Sequence, residues 1–318
     1  MPDEGAPVTF PLVPESFVPV AITDRSGVDE SVHFGAVVAL GPDGEIAHAW
    51  GDPDVVIYPR SALKPLQADT MVGLGLDLPD DQLALGCASH DGTARHQAVV
   101  TALLGRVGCE VSALHNTPSL PIDKDAAEAT LASGGGPTSL AMNCSGKHAA
   151  MIATCVICGW DPDDYLNPDH PLQQAIIAHV GELAGGVNAV GVDGCGAPTH
   201  AISLSGLARA YRHLAVAKAR VWQAMIRWPE LVGGDQRDNT RLMQAVPGLM
   251  VKDGAEGVMA AALPDGRAVA VKISDGQARA AGVVMAAALG SIGVSVEITV
   301  GPPVLGHGRP VGRIRALW

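Results

Sequence analysis

The sequence contains no run of lysines and arginines and no aromatic residues interleaved with basic ones, and only 17% of its 318 residues are charged. With a formal net charge of -12 it would repel phosphate backbones, which excludes nucleic acid as a partner. Residues 1–16 carry Pro2, Pro7, Pro11 and Pro14 but no basic segment followed by an apolar run, so an export signal is not expected. The uncharged stretch between Arg279 and Glu297 approaches membrane-spanning length, yet Gly290, Ser291 and Gly293 interrupt it, and it reads as a helix followed by a strand. No membrane partner is expected. Internal repeats, coiled-coil heptads and low-complexity segments are missing as well. Six cysteines stand in a chain far too long to need disulfide stapling, which implies reduced thiols and a cytoplasmic protein.

Hydrophobic residues make up 47% of the chain, enough to bury a large core. Two-residue alternation predicts strands over Val18–Ile22, Val32–Leu40 and Glu45–Trp50, with a hairpin turn at Gly41-Pro42-Asp43-Gly44. Helical patterns follow over 61–75, 92–107, 124–133, 145–158, 171–183, 199–214 and 216–228. Strands return over 257–263 and 268–273, joined by Pro264-Asp265-Gly266, before a helix over 277–289 and a last strand over 295–300. The expected fold class is α/β (α+β): an antiparallel sheet built from both chain ends, with an inserted helical lobe. As domains this gives one compact catalytic unit, its sheet lobe at approximately 1–58 and 188–318 and its helical lobe at approximately 59–187.

Reactive groups gather at junctions between these elements, where active sites are usually assembled. Ser61 and Lys64 lie three residues apart at a predicted helix start, so both fall on one helix face, and a neutral lysine there is a base for the serine hydroxyl. A helix cap followed by a solvated lysine is the alternative meaning of the same spacing. Further clusters are Cys87-Ala88-Ser89-His90-Asp91-Gly92, Asn143-Cys144-Ser145-Gly146-Lys147-His148, Val192-Asp193-Gly194-Cys195 and Lys272-Ile273-Ser274-Asp275-Gly276. The order S-x-x-K, serine loop, lysine strand is similar to that of serine β-lactamases and penicillin-binding proteins, although Ser89-His90-Asp91 and Lys272-Ile273-Ser274 depart from their motifs. Gly134-Gly135-Gly136 with Gly146-Lys147 does not satisfy the phosphate-loop spacing. Taken alone, the spacing leaves Cys144 and Cys195 as ordinary buried thiols.

A closer resemblance is to the rhizobial-type L-asparaginases, the asparaginase II family. It rests on Tyr58-Pro59-Arg60-Ser61-x-x-Lys64-Pro65-x-Gln67, Cys87-Ala88-Ser89-His90, Asn143-Cys144-Ser145-Gly146-Lys147-His148, Asp193-Gly194-Cys195-Gly196, Lys252-x-Gly254-Ala255-Glu256-Gly257 and Lys272-Ile273-x-Asp275-Gly276, in order along most of the chain. The resemblance implies a serine β-lactamase/glutaminase-like fold and a homodimer that hydrolyses L-asparagine, a small-molecule substrate, to aspartate and ammonia. It implies two catalytic pairs, Ser61 with Lys64 and Ser89 with Lys272, with the acyl-enzyme on Ser61. It also implies zinc held by Cys144, Lys147 and Cys195. Substrate contacts are expected from Arg60, His90, Asp193 and His148; Arg60 would otherwise pair with an acidic residue, and the two histidines would otherwise be structural. The segment Val232–Thr240 has the glycine-rich, acidic character of a flexible loop over the substrate. The alternatives are a β-lactam-recognising serine hydrolase and a catalytically silent homologue that binds a small molecule or metal.

Overall fold

The computed structural model describes residues 12–318, so the expectation about an export signal in residues 1–16 lies largely outside it. Strand β1 (Val18–Arg25) turns into β2 (Val28–Leu40) through Ser26 and Gly27, with φ of 50° and 83°. Two consecutive positive φ angles match the right-handed twist of the flanking strands. After β3 (Ile46–Trp50) and the short β4 (Val56–Ile57), a 3₁₀ turn over Arg60–Leu63 leads into six helices. These are α1 (Lys64–Gly73), α2 (Asp80–Gly86), α3 (Ala94–Arg106), α4 (Lys124–Ala132), α5 (Ser145–Cys158) and α6 (Pro171–Ala184). Then come β5 (Ala189–Val192), β6 (Pro198–Ser203), α7 (Leu204–Val216), α8 (Arg220–Arg227), α9 (Pro229–Val232) and α10 (Asp238–Ala245). The chain closes with β7 (Met250–Gly254), β8 (Val258–Ala262), β9 (Ala268–Ile273), α11 (Ala281–Ser291), β10 (Val304–Gly306), β11 (Arg309–Gly312) and β12 (Ile314–Ala316).

The main sheet runs β12-β1-β2-β9-β8-β7, with β3 also paired to β2, and every pairing is antiparallel. Both chain ends therefore build it, in the α/β class the sequence implies. Every residue of β8 and β9 is buried, and α7 and α11 both pack on these two strands. Strands covered on both faces lose their alternation, and here they carry mostly alanine and valine. Among the described residues no helix is long and apolar enough to cross a membrane.

Three segments differ from the periodicity reading. Residues 198–203 form β6 rather than helix; Ser203 then caps α7 by accepting a hydrogen bond from the Gly206 amide at 3.0 Å, so the helix starts five residues later than expected. The Val232–Thr240 segment, expected as a flexible loop, runs into helix α10. Residues 295–300 form no strand, although Val296, Ile298 and Val300 do lay one face on the core. The edge beside β1 is taken by β12 instead, so the alternation is real but has no ladder to join.

Candidate active site

The turn Arg60–Leu63 precedes α1 rather than forming its first turn, because Pro65 at the second helical position suits a helix that starts at Lys64. Arg60 has φ 53°, a left-handed conformation that costs a non-glycine residue about 1–3 kcal/mol. Its guanidinium holds the turn in place: Nε donates to Asp193 Oδ1 at 2.7 Å, and Nη1 lies 4.0 Å from Glu256. Of the two roles expected for Arg60, the structure thus displays pairing with an acid. From inside, Tyr211 donates to the Ala62 carbonyl at 2.7 Å. Strand β7 closes the other side, where a Cβ on Gly254 would stand 2.3 Å from the Pro59 carbonyl oxygen and 3.2 Å from the Ala62 amide nitrogen. No side chain fits there, so β7 lies directly against the turn that carries the half-buried Ser61.

Lys64 is buried and donates to three acceptors: the Ala88 carbonyl at 2.5 Å, Ser89 Oγ at 3.0 Å and Cys144 Sγ at 3.1 Å. Its bonded serine is therefore Ser89, from the second cluster, rather than Ser61 within its own turn. Ser89 sits after α2 in a loop held by backbone bonds, Ser89 N to Val232 O at 3.0 Å, His90 N to Asn143 O at 3.1 Å and Asp91 N to Gly233 O at 2.8 Å. Three stretches far apart in sequence thus converge on one amine.

Lys252 was in a family motif but not among the expected catalytic residues. Side chains two apart on a strand share a face, so Lys252 lies on the same face of β7 as Gly254, toward the Ser61 turn. It is completely buried. Its amine donates to the Asp253 carbonyl at 2.6 Å and is ion-paired with the Asp253 carboxylate. Burial pushes its pKa down to about 8; Asp253 opposes this, and the neighbouring Lys64 adds to it. Asp253 is half-buried, which works against its charge, yet Lys252 and Arg237 outweigh burial and hold the carboxyl well below its ordinary range. The signal in the sequence was a lysine and an aspartate directly after the apolar run Leu249–Val251.

The remaining expected residues divide. Lys272, on β9, donates to the Glu256 carbonyl at 2.5 Å, so it anchors the β7–β8 turn where a bond to Ser89 was expected. Burial lowers its pKa. His90 and His148 are fully buried. The His90 ring accepts from the Gly92 amide at 3.1 Å and pairs with Ser145 Oγ at 2.9 Å, while His148 Nδ1 pairs with the Tyr165 hydroxyl at 2.8 Å. Both therefore act on the protein's own loops in this structure. Asp193 is occupied by Arg60.

The zinc expectation is corrected. Among the described residues no group of three or more His, Cys, Asp or Glu is placed to hold a metal ion. Cys144, Lys147 and Cys195 do come together, but as hydrogen-bonded partners: Lys147 Nζ donates to Cys195 Sγ at 3.2 Å, and Cys144 donates to Asn143 Oδ1 at 2.9 Å. Burial works against charge on Lys147, but Cys195 and Cys144 overcome it and raise its pKa. Two thiols and an amine supply only two of the usual zinc donors, one short of the three that a zinc site takes from protein, so the donor set does not fit zinc.

A family model described as L-asparaginase II matches residues 21–316. No curated protein matches the chain. Among solved structures, it is similar to one described as Mglu in its glutamate form, at 15% identity over 84% of this chain and 62% of that one, with a TM-score of 0.43. It is also similar to a beta-lactamase from Mycobacterium bovis, at 14% identity over 81% of this chain and 94% of that one, with a TM-score of 0.38. The chain thus spans less than two thirds of the length of the first of these. Superpositions this loose decide nothing about the site or its substrate.

Proposed function

The chain belongs to the L-asparaginase II family, and from that premise we propose that it is an amidohydrolase of the rhizobial type that releases ammonia from the side-chain amide of L-asparagine. The observation that carries this reading is the Lys64 amine, bonded to Ser89 and placed one helical turn from Ser61, with the buried Lys252 amine beside it. Ser61 is the attacking group, because it is only half-buried, whereas Ser89 is buried and already held by Lys64. Its oxygen adds to the amide carbon while its proton passes to the lysine amines through Ser89. The same proton is returned to the nitrogen as the C–N bond breaks, which frees ammonia and leaves an ester on Ser61. Water then adds to the ester, its proton takes the same route, and the C–Oγ bond breaks to release aspartate and restore the hydroxyl. Lys272 supports the site by fixing the Glu256 turn beside Arg60.

The test is ammonia release from L-asparagine and L-glutamine by the wild type, Ser61→Ala and Ser89→Ala. Loss of a nucleophile or of a relay group is expected to lower kcat by about a hundred-fold or more for each variant, in line with general-base and nucleophile deletions. Near-wild-type turnover by Ser61→Ala would remove it as nucleophile, and no ammonia from either amide would remove the substrate assignment. A homodimer belongs to the same reading and is supported by the exposed apolar row Val28, Val32 and Phe34 on β2; light scattering at assay concentration checks it.

A further inference from the structure

Arg237 is the residue immediately before α10, within the Val232–Thr240 segment but outside the clusters of reactive groups, and it joins two parts of the site. Its Nη1 donates to Asp91 Oδ1 at 3.1 Å and its Nη2 to Asp253 Oδ2 at 2.5 Å. Asp91 lies two residues beyond Ser89 in the same loop, and Asp253 directly follows Lys252 and binds its amine through the other carboxylate oxygen. One guanidinium therefore bridges the loop of the relay serine and the strand of the low-pKa lysine. The backbone around it is shaped to that end: Val232 and Gly233 accept from the Ser89 and Asp91 amides, and a Cβ on Gly234 would fall 1.9 Å from Asp91 Oδ2. The segment wraps the Asp91 carboxylate so closely that only glycine fits at 234.

We propose that Arg237 is a positioning residue for the amide hydrolysis, locking the Ser89 loop to β7 and holding Asp253 where it grips the Lys252 amine. The inference rests on the reading of Lys252 and Ser89 as parts of the reaction site. Neither end of the bridge works alone. Asp253 faces both Arg237 and Lys252, and without Arg237 its carboxylate would serve Lys252 only. The groups that bear on Lys252 are Asp253 on its own strand, Lys64 from α1, Arg237 before α10, Cys87 at the end of α2, and, through Asp253, Tyr211 from α7. Removing Arg237 takes away one cation and leaves an undivided carboxylate, and both changes favour the charged amine.

The experiment measures kcat and KM for ammonia release against pH with Arg237→Gln and Arg237→Lys, checking each variant's fold by its melting temperature. For Arg237→Gln, kcat at neutral pH is expected to fall roughly ten- to a hundred-fold, the scale of an ångström of misplacement. KM should change much less, and the acid limb should move up by about one pH unit. Arg237→Lys, which keeps the charge, should bring the limb back to its wild-type position while restoring only part of kcat. An acid limb that stays put in a folded Arg237→Gln, with kcat falling only as far as folded protein is lost, would make Arg237 merely structural and overturn the proposal. If Arg237→Gln does not fold, Asp91→Asn and Arg237→Lys are combined: effects on kcat that fall short of multiplying support one shared bridge, and independent effects overturn it. Lys252→Met separates the two readings, because full activity in that variant removes Lys252 from the reaction, whereas its silence beside an unmoved Arg237→Gln limb removes this inference alone.

Discussion

A lysine with no exposed surface loses the water that stabilised its charge, and at Lys252 the neighbours make good only part of that loss: burial and Lys64 push the pKa down, Asp253 pushes it up, and the amine settles at about 8. The sign of the pH dependence follows. Below that value the amine is protonated and is no base; above it the amine is neutral and accepts a proton. Turnover is therefore expected to rise as pH rises through about 8, with roughly a tenth of the plateau at pH 7 if this group alone governs it. A flat profile from pH 6 to 9 in initial-rate assays would show that Lys252 does not limit the reaction. Ser61, Lys64 and Ser89 were legible as chemistry in the sequence because each sits in a short cluster of reactive groups. The choice between Lys252 and Lys272 was not, because both are lysines on strands in the same antiparallel sheet. The register Gly254–Val258–Lys272 even puts both on one face of that sheet, and only the partner each amine reaches separates them, Asp253 for Lys252 and the Glu256 carbonyl for Lys272. Asp253 and Arg237 were illegible for a related reason: a carboxylate and a guanidinium 16 residues apart look like ordinary surface charges until the fold brings them together.

At the scale of elements, the contact that sets the site is β7 against the 3₁₀ turn, and Gly254 is its closest point. Ala at 254 places a methyl where the Pro59 carbonyl oxygen is only 2.3 Å away, so strand and turn must separate. Overpacking of this kind costs about 1–3 kcal/mol. Gly254→Ala is accordingly expected to lower the urea midpoint and, because the displaced turn carries Ser61, to lower kcat beyond the loss of folded protein. Gly105 near the end of α3 gives the contrast. It has open space around its Cβ position and is exposed, so Gly105→Ala should be neutral or stabilising by up to about 1 kcal/mol with kcat unchanged. The elements themselves were largely legible: Ser145–Cys158 and Ala268–Ile273 have the predicted bounds, the first by its apolar periodicity and the second by its β-branched run. Where legibility failed, tertiary pairing decided. Residues 198–203 became a strand because β4 and β5 flank them, and 295–300 lost a strand because β12 already occupied the edge.

At the scale of the molecule, the last strand is remote from the chemistry yet closes the sheet on which the chemistry is hung. Pairs Ala21 with Ala316, Ile22 with Arg315 and Thr23 with Ile314 seal the β1 edge, and Trp318 stacks on Trp50 with ring centroids 4.2 Å apart. Ile314 is buried, which is worth about 1.5–3 kcal/mol, and the stacked pair adds about 0.5–1.5 kcal/mol. Removing residues 313–318 is therefore expected to cost about 2–4 kcal/mol and to bare an unpaired strand edge that promotes association between chains. β12 stands at one end of the order β12-β1-β2-β9-β8-β7 and the Lys252 strand at the other. The truncated protein should consequently lose melting temperature and soluble yield while each folded molecule keeps its kcat and the position of its acid limb. A shifted limb in the truncated protein would mean that strain at the far edge reaches β7 through the intervening strands. An unchanged limb beside a lowered melting temperature would place control of the Lys252 amine in its immediate neighbours.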